Sequence, residues 1–136
     1  MKFLVDPQLI TDALKGESEA GKSARALFEA HRADELILAP TSYIALSPTF
    51  MGIRSMQDRF LENFGIRVTR NAPAKVMDAA YSAWSRYQQD SPRVAGGNSV
   101  FDQLYIGAHA LLCDGILTRQ GDLYRKYFET LNVVEP

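Results

Sequence analysis

Short apolar runs that alternate with helix-patterned segments predict an α/β fold with a mostly parallel sheet. The runs are 2–5 (KFLV), 35–39 (ELILA), 66–68 (IRV), 116–117 (IL) and 132–134 (NVV). Between them, apolar residues recur three and four apart, the spacing that gives a helix one buried face. A further observation marks where such a fold would do chemistry. Asp6 stands directly after the first run, and ligands of open parallel sheets bind outside the carboxyl ends of the strands.

The 136 residues suit one core, so a single domain over 1–136 is expected. Residues 2–5 read as a buried strand. Pro7 pushes Asp6 toward extended geometry and itself suits the first position of a helix. Asp6 should therefore end the strand and cap a helix that buries Leu9, Ile10, Ala13 and Leu14 and stops at Gly16. A second helix over 17–31 should bury Ala20, Ala24, Leu27 and Phe28. The second strand, 35–39, leads into a helix that starts at Pro40, Thr41 and Ser42 and runs to Ser47 and Pro48. Another helix is expected over 51–65, with Met56, Phe60 and Phe64 four apart, before the third strand at 66–68. Pro73 opens a longer helix with Val76, Ala80, Trp84 and Tyr87 as its inward stripe. Residues 90–98 are polar and glycine-rich, a loop. The next helix carries Val100, Leu104, Ala108, Leu111 and Leu112 on one side, and its small residues Gly107, Ala108 and Ala110 admit a neighbouring backbone. A turn at Asp114 and Gly115, the strand 116–117, a break at Arg119-Gln120-Gly121, a helix over 122–131 and a final strand complete the pattern.

Composition narrows the function classes. The apolar fraction of 46% is that of a globular chain, not a disordered one. A net charge of −1 excludes nucleic-acid binding by bulk electrostatics and leaves only a local patch. The lone Cys113 has no internal partner, so a reducing compartment is expected and the thiol reads as packing. Residues 1–5 are too short for a signal peptide, and no apolar run approaches the roughly 20 residues that span a bilayer. The expected location is cytoplasmic, with no membrane partner.

The chain has no GxxxxGK loop, no HExxH, no paired CxxC and no GxGxxG after a strand. His31 and His109 are isolated, and His109 reads as a packed helix histidine. Aspartates are what remain. Asp6 and Asp122 follow strands, and Asp102 lies near a helix start. Crowded carboxylates repel unless a cation intervenes, and Mg²⁺ or Mn²⁺ prefers such oxygen ligands. An ion held there could activate water on a phosphodiester. Each aspartate equally fits a helix start: Asp6 as a cap, Ser99 to Asp102 with capping-box spacing, and Asp122 in a first turn.

The chain resembles the PIN-domain superfamily, in particular the VapC toxins of toxin–antitoxin pairs. The segments that carry the resemblance are KFLVDPQLI, LAPTSYIALS and the C-terminal run FDQLYIGAHALLCDGILTRQGDLYRKYFETLNVVEP. The resemblance implies a three-layer fold of about five short parallel strands in the order 3-2-1-4-5, with helices on both faces. It also implies four acidic positions that bind Mg²⁺ or Mn²⁺ at the carboxyl end of the sheet, cleavage of RNA, a homodimer and an antitoxin partner. Asp6 fits the first acidic position and Asp102 the third. The glutamate position falls on Ala45 and the aspartate of the family's TRD loop on Gln120, which offers only a neutral carbonyl oxygen. Asp122, two residues on, is a substitute candidate. The expected catalytic set is Asp6, Asp102 and Asp122, with Gln120 added as a metal ligand.

Two functions follow from that partial match. One is a VapC-like, metal-dependent endoribonuclease impaired by the loss of two acids. The other is a non-catalytic PIN-fold protein that binds RNA or a protein partner. Arg70, Arg93, Arg119 and Arg125 are candidates for phosphate contacts in either case.

Overall fold

The structure is a computed structural model that describes residues 1–90 and 97–136. Its strands are β1 (Lys2–Val5), β2 (Glu35–Leu38), β3 (Ile66–Val68), β4 (Gly115–Leu117) and β5 (Val133–Val134). All pair in parallel, in the order β3-β2-β1-β4-β5, so β1 is central as expected. Around the sheet lie α1 (Pro7–Ala13), α2 (Glu19–Ala30), α3 (Pro40–Ala45), α4 (Arg54–Asn63), α5 (Ala74–Asp90), α6 (Gly97–Ala110) and α7 (Gly121–Tyr127). A 3-10 turn, Ser47–Phe50, joins α3 to the approach of α4.

The central parts of β1, β2 and β4 are apolar and buried because both faces of the sheet are covered. Successive side chains point to opposite faces. Phe3 and Val5 of β1, with Leu36, Leu38 and Leu117, pack against Leu9 and Ile10 of α1, Leu27 and Phe28 of α2, and Leu61 of α4. Leu4, Ile37 and Ile116 point the other way, onto Val76, Ala83 and Tyr87 of α5, Leu104 and Ala108 of α6, and Tyr124 of α7. Each fully buried leucine or isoleucine side chain contributes about 1.5–3 kcal/mol relative to exposure, so both layers are needed to hold the sheet.

Several element boundaries and faces differ from expectation. α1 ends at Ala13, which leaves Leu14 37% exposed at the C-cap, and Asp12 takes the inward position. On α2 Gly21, not Ala20, is buried. A Cβ on Gly21 would meet the Gly16 carbonyl at 2.7 Å, so this contact between α2 and the preceding turn admits only glycine. α4 starts at Arg54 rather than 51, because Met51 and Gly52 adopt φ of 56° and 71°. That start turns Gln57 and Leu61 inward and leaves Met56 41% exposed. On α5 the inward line is Val76, Ala83 and Tyr87, and Ala80 and Trp84 are only half-buried at its edge. Leu111 and Leu112 lie past the end of α6 and are exposed. Gly107 is indeed a close-packing position, but what approaches it is the Phe128 ring, not a backbone. α7 stops at Tyr127, four residues early, because Phe128 leaves helical geometry at φ −137°. The expected loop at 90–98 falls mostly on 91–96, outside the described residues, and α6 already begins at Gly97.

Candidate functional site

The site is built on the carboxyl end of the central strand. β1 ends at Val5, and Asp6 leaves it at φ −68° and ψ 128° before Pro7 opens α1. Its backbone N–H still donates to the Leu117 carbonyl at 2.9 Å, which ties it to β4. The side chain is 2% exposed, and both oxygens accept from donors. Oδ1 accepts the Gln8 N–H at 3.1 Å, the capping bond expected from sequence. Oδ2 accepts the Thr118 hydroxyl at 2.8 Å and the Tyr124 hydroxyl at 3.1 Å. Burial, and then the adjacent Asp6 charge and hydrogen bond, push the Tyr124 hydroxyl far above its ordinary pKa. Tyr124 therefore stays a donor, and the buried carboxylate has two hydroxyl donors from the β4 loop and α7. Thr118 also accepts the Gln120 N–H at 3.1 Å, which orders the loop.

The other expected site residues lie on α6, on α3 after β2, and on the loop and helix after β4. Asp102 sits in the second turn of α6 and is exposed. The expected capping box from Ser99 to Asp102 rests on the Ser99 side chain, which lies outside the described residues. Gln120 is exposed, and its Oε1 accepts from Gln103 Nε2 at 3.3 Å, so α6 and the β4 loop do meet here. Asp122 points wholly into solvent, with Arg125 Nη1 at 3.9 Å. It occupies the first turn of α7, the plain helix-start position. Ala45 is exposed on α3.

A hard divalent cation needs about six oxygen ligands. A carboxylate has about four acceptor directions, and Asp6 already spends three of them on protein donors. Among the described residues no three His, Cys, Asp or Glu side chains stand close enough to share an ion. The residues present therefore do not fit the four-acid metal centre that the resemblance implies.

A second buried carboxylate, missed in the sequence, is Asp12 on α1, 1% exposed. Arg119 Nε lies 2.6 Å from its Oδ2 and Lys15 Nζ 3.6 Å from Oδ1. The pairing is one of charge and distance, since neither oxygen receives an aligned hydrogen bond. It pins the loop after β4 from the α1 side. The signal available was Asp12 falling one turn after Leu9 on the inward side of α1, where an acid demands a cation.

The four candidate phosphate-binding arginines divide accordingly. Arg119 is committed to Asp12, and Arg125 to Glu135 at 3.0 Å. Arg93 lies outside the described residues. Arg70 follows β3 and lines a cleft of about 580 Å³ together with Arg54, which sequence reasoning overlooked. His109 is buried, as expected, with Nδ1 unpartnered, and burial lowers its pKa. Cys113 is half-buried, and burial pushes its thiol up, away from the reactive thiolate. No helix among the described residues is long and apolar enough to cross a membrane.

No family model matches the chain, and no curated protein matches it. Among solved structures it is similar to the crystal structure of VapBC2 from Rickettsia felis bound to a DNA fragment from their promoter, with a TM-score of 0.69 and 13% identity. The match covers 99% of this chain and 98% of that one. At such identity the likeness is one of fold. With the β3-β2-β1-β4-β5 parallel sheet and its two helical layers, it establishes that this chain has the VapC-like PIN fold.

Proposed function

We propose that residues 1–136 work as one PIN-like domain acting on RNA, as a VapC-like endoribonuclease whose hydrolysis is slow. The observation that carries this is Asp6. It is the acid retained at the carboxyl end of the central strand, buried and held in one orientation by Thr118 and Tyr124. A plain helix cap needs only the Gln8 bond, and the two hydroxyl donors go beyond that role. The impairment follows from Ala45 and Gln120, where the resemblance places acids. A divalent ion supplies activated water and neutralises phosphoryl charge. Asp6, Asp102, Asp122 and Gln120 offer it too few converging oxygens, so Mg²⁺ or Mn²⁺ would bind weakly.

The non-catalytic alternative is favoured by that same shortage of ligands. In it the fold serves as a binding body. The chain would then meet a protein partner, an antitoxin or a second copy. The exposed apolar residues Met77, Tyr81 and Phe101 beside half-buried Trp84 support a protein-binding face of this kind. The neighbouring fold comes from a complex of that sort, VapBC2 on promoter DNA.

The test is cleavage of a labelled single-stranded RNA with Mg²⁺ or Mn²⁺ added, read by gel over hours. Slow cleavage that is better in Mn²⁺ and lost in both Asp6→Asn and Asp102→Asn supports the ribonuclease. Cleavage unchanged in Asp6→Asn would overturn it. RNA binding without cleavage under any metal would establish the binding alternative.

A further inference from the structure

The register across the sheet places a second feature beside Asp6. β1 pairs Leu4 with Ile37, and β2 pairs Leu38 with Val68. Continued to the carboxyl end, that register sets Asp6, Ala39 and Thr69 in one row across three adjacent strands. Two strand spacings amount to about 10 Å. At the far end of this row opens the cleft of about 580 Å³, within the range of roughly 300–1,000 Å³ typical of small-ligand sites.

Its walls combine two chemistries. Pro40 and Ile44 of α3 and Val68 of β3 supply an apolar side, with Ile44 70% exposed although it has no core role. Arg54 and Arg70 supply the charge. Neither has a carboxylate within ion-pair distance among the described residues, whereas Arg32, Arg67, Arg119 and Arg125 are all paired. Arg54 is also held in place. Its guanidinium lies 5.4 Å from the Tyr43 ring centroid, and its Nε donates to the Tyr43 hydroxyl at 2.9 Å. That hydroxyl donates in turn to Asp58 at 2.6 Å, and Gln57, 2% exposed, donates to the Tyr43 carbonyl at 2.8 Å. Asp58 is the nearby acid, and it is occupied by Tyr43 rather than by either arginine. With Nε engaged, the terminal amino groups of Arg54 keep their N–H donors for a ligand.

An apolar wall beside two guanidinium groups with no paired carboxylate suits a nucleotide, whose base is flat and apolar on its faces and whose phosphate is anionic. We propose that this cleft is a nucleotide subsite. It would take a base and phosphate of single-stranded RNA a few nucleotides along from a phosphodiester placed at Asp6. At about 3.4 Å per stacked nucleotide, the span from Asp6 corresponds to about three steps. This rests on the RNA reading above and adds the path of the strand: across the carboxyl edge of β1, β2 and β3, not over β4 and β5, where Arg119 of the loop after β4 and Arg125 of α7 are paired.

The experiment is fluorescence anisotropy of a labelled 12-nucleotide single-stranded RNA with the full chain in EDTA, so that binding is read without cleavage. The parent, Arg54→Ala/Arg70→Ala, Arg54→Lys and Arg59→Ala are compared across a salt series. Arg59 is an exposed arginine of α4 outside the cleft, and melting curves confirm that each variant is folded. The double variant should bind at least tenfold more weakly, and its salt slope should fall by about 0.7, for the one phosphate the cleft takes. Arg59→Ala should match the parent, and Arg54→Lys should recover part of the loss. A double variant with parent affinity and slope, in a parent that binds RNA, overturns the subsite and leaves the RNA reading standing. A parent that binds no RNA overturns both. Loss of affinity for a protein partner, with RNA affinity unchanged, would reassign the cleft to that partner.

Discussion

Asp6 is both a helix cap and the focus of the site, and the two roles use different oxygens. The cap uses Oδ1, and Oδ2 receives Thr118 and Tyr124 from elements more than a hundred residues away in the chain. Tyr124→Phe removes one donor from a buried carboxylate and should cost about 1.5–3 kcal/mol, measured by urea unfolding at neutral pH. A loss below a few tenths would mean that Asp6 does not depend on that bond. His109 gives a separate signature. Burial lowers its pKa below the ordinary 6.5. The unfolded chain therefore takes up a proton first as pH falls, and stability drops from about pH 6.5 downward. The slope His109 adds is at most about 1.4 kcal/mol per pH unit. His109→Gln should flatten the fall in stability between pH 6.5 and 5, and an unchanged slope would show that the imidazole is free to protonate in the folded chain.

At the scale of elements, α5 shows how a correct period can carry a wrong face. Trp84 stacks on Tyr87 at 5.6 Å and meets Phe101 edge-on at 5.3 Å, yet it stays half-buried. Tyr87 goes deeper and also packs on Tyr127 at 5.8 Å. Tyr87→Ala should therefore cost about 3–5 kcal/mol and Trp84→Ala only about 1–2 kcal/mol, in the same denaturant assay. Equal losses would restore the stripe expected from sequence. The spacing of apolar residues along α5 was legible, because it comes from 3.6 residues per turn. Which of two neighbouring lines faces the sheet was not, because Ala83 and Trp84 differ by one position, and the choice rests on the space left by α6 and α7. On α1 the same ambiguity hid Asp12, whose partners Arg119 and Lys15 offset the burial of its charge.

For the whole molecule, the open question is whether the acids can be made to converge. Ala45, at the end of α3, and Gln120, in the loop after β4, are exposed. Ala45→Glu with Gln120→Asp should raise Mn²⁺ affinity over the parent in isothermal titration, since both changes add anionic oxygen where the resemblance places it. No gain would mean that these positions do not face Asp6, and the capping role of Asp6 would stand. The sequence by itself determined the five strands, their parallel α/β layout and the cap at Asp6. Those features follow from apolar runs, proline positions and hydrogen bonding within a few residues. Tertiary structure alone decided the grip of Thr118 and Tyr124 on Asp6, the pairing of Arg119 with Asp12, the solvent position of Asp122, and the cleft that joins Arg54 to Arg70. Each depends on where strands far apart in sequence lie side by side. Local spacing cannot encode that distance, and buried charge settles it by finding a partner.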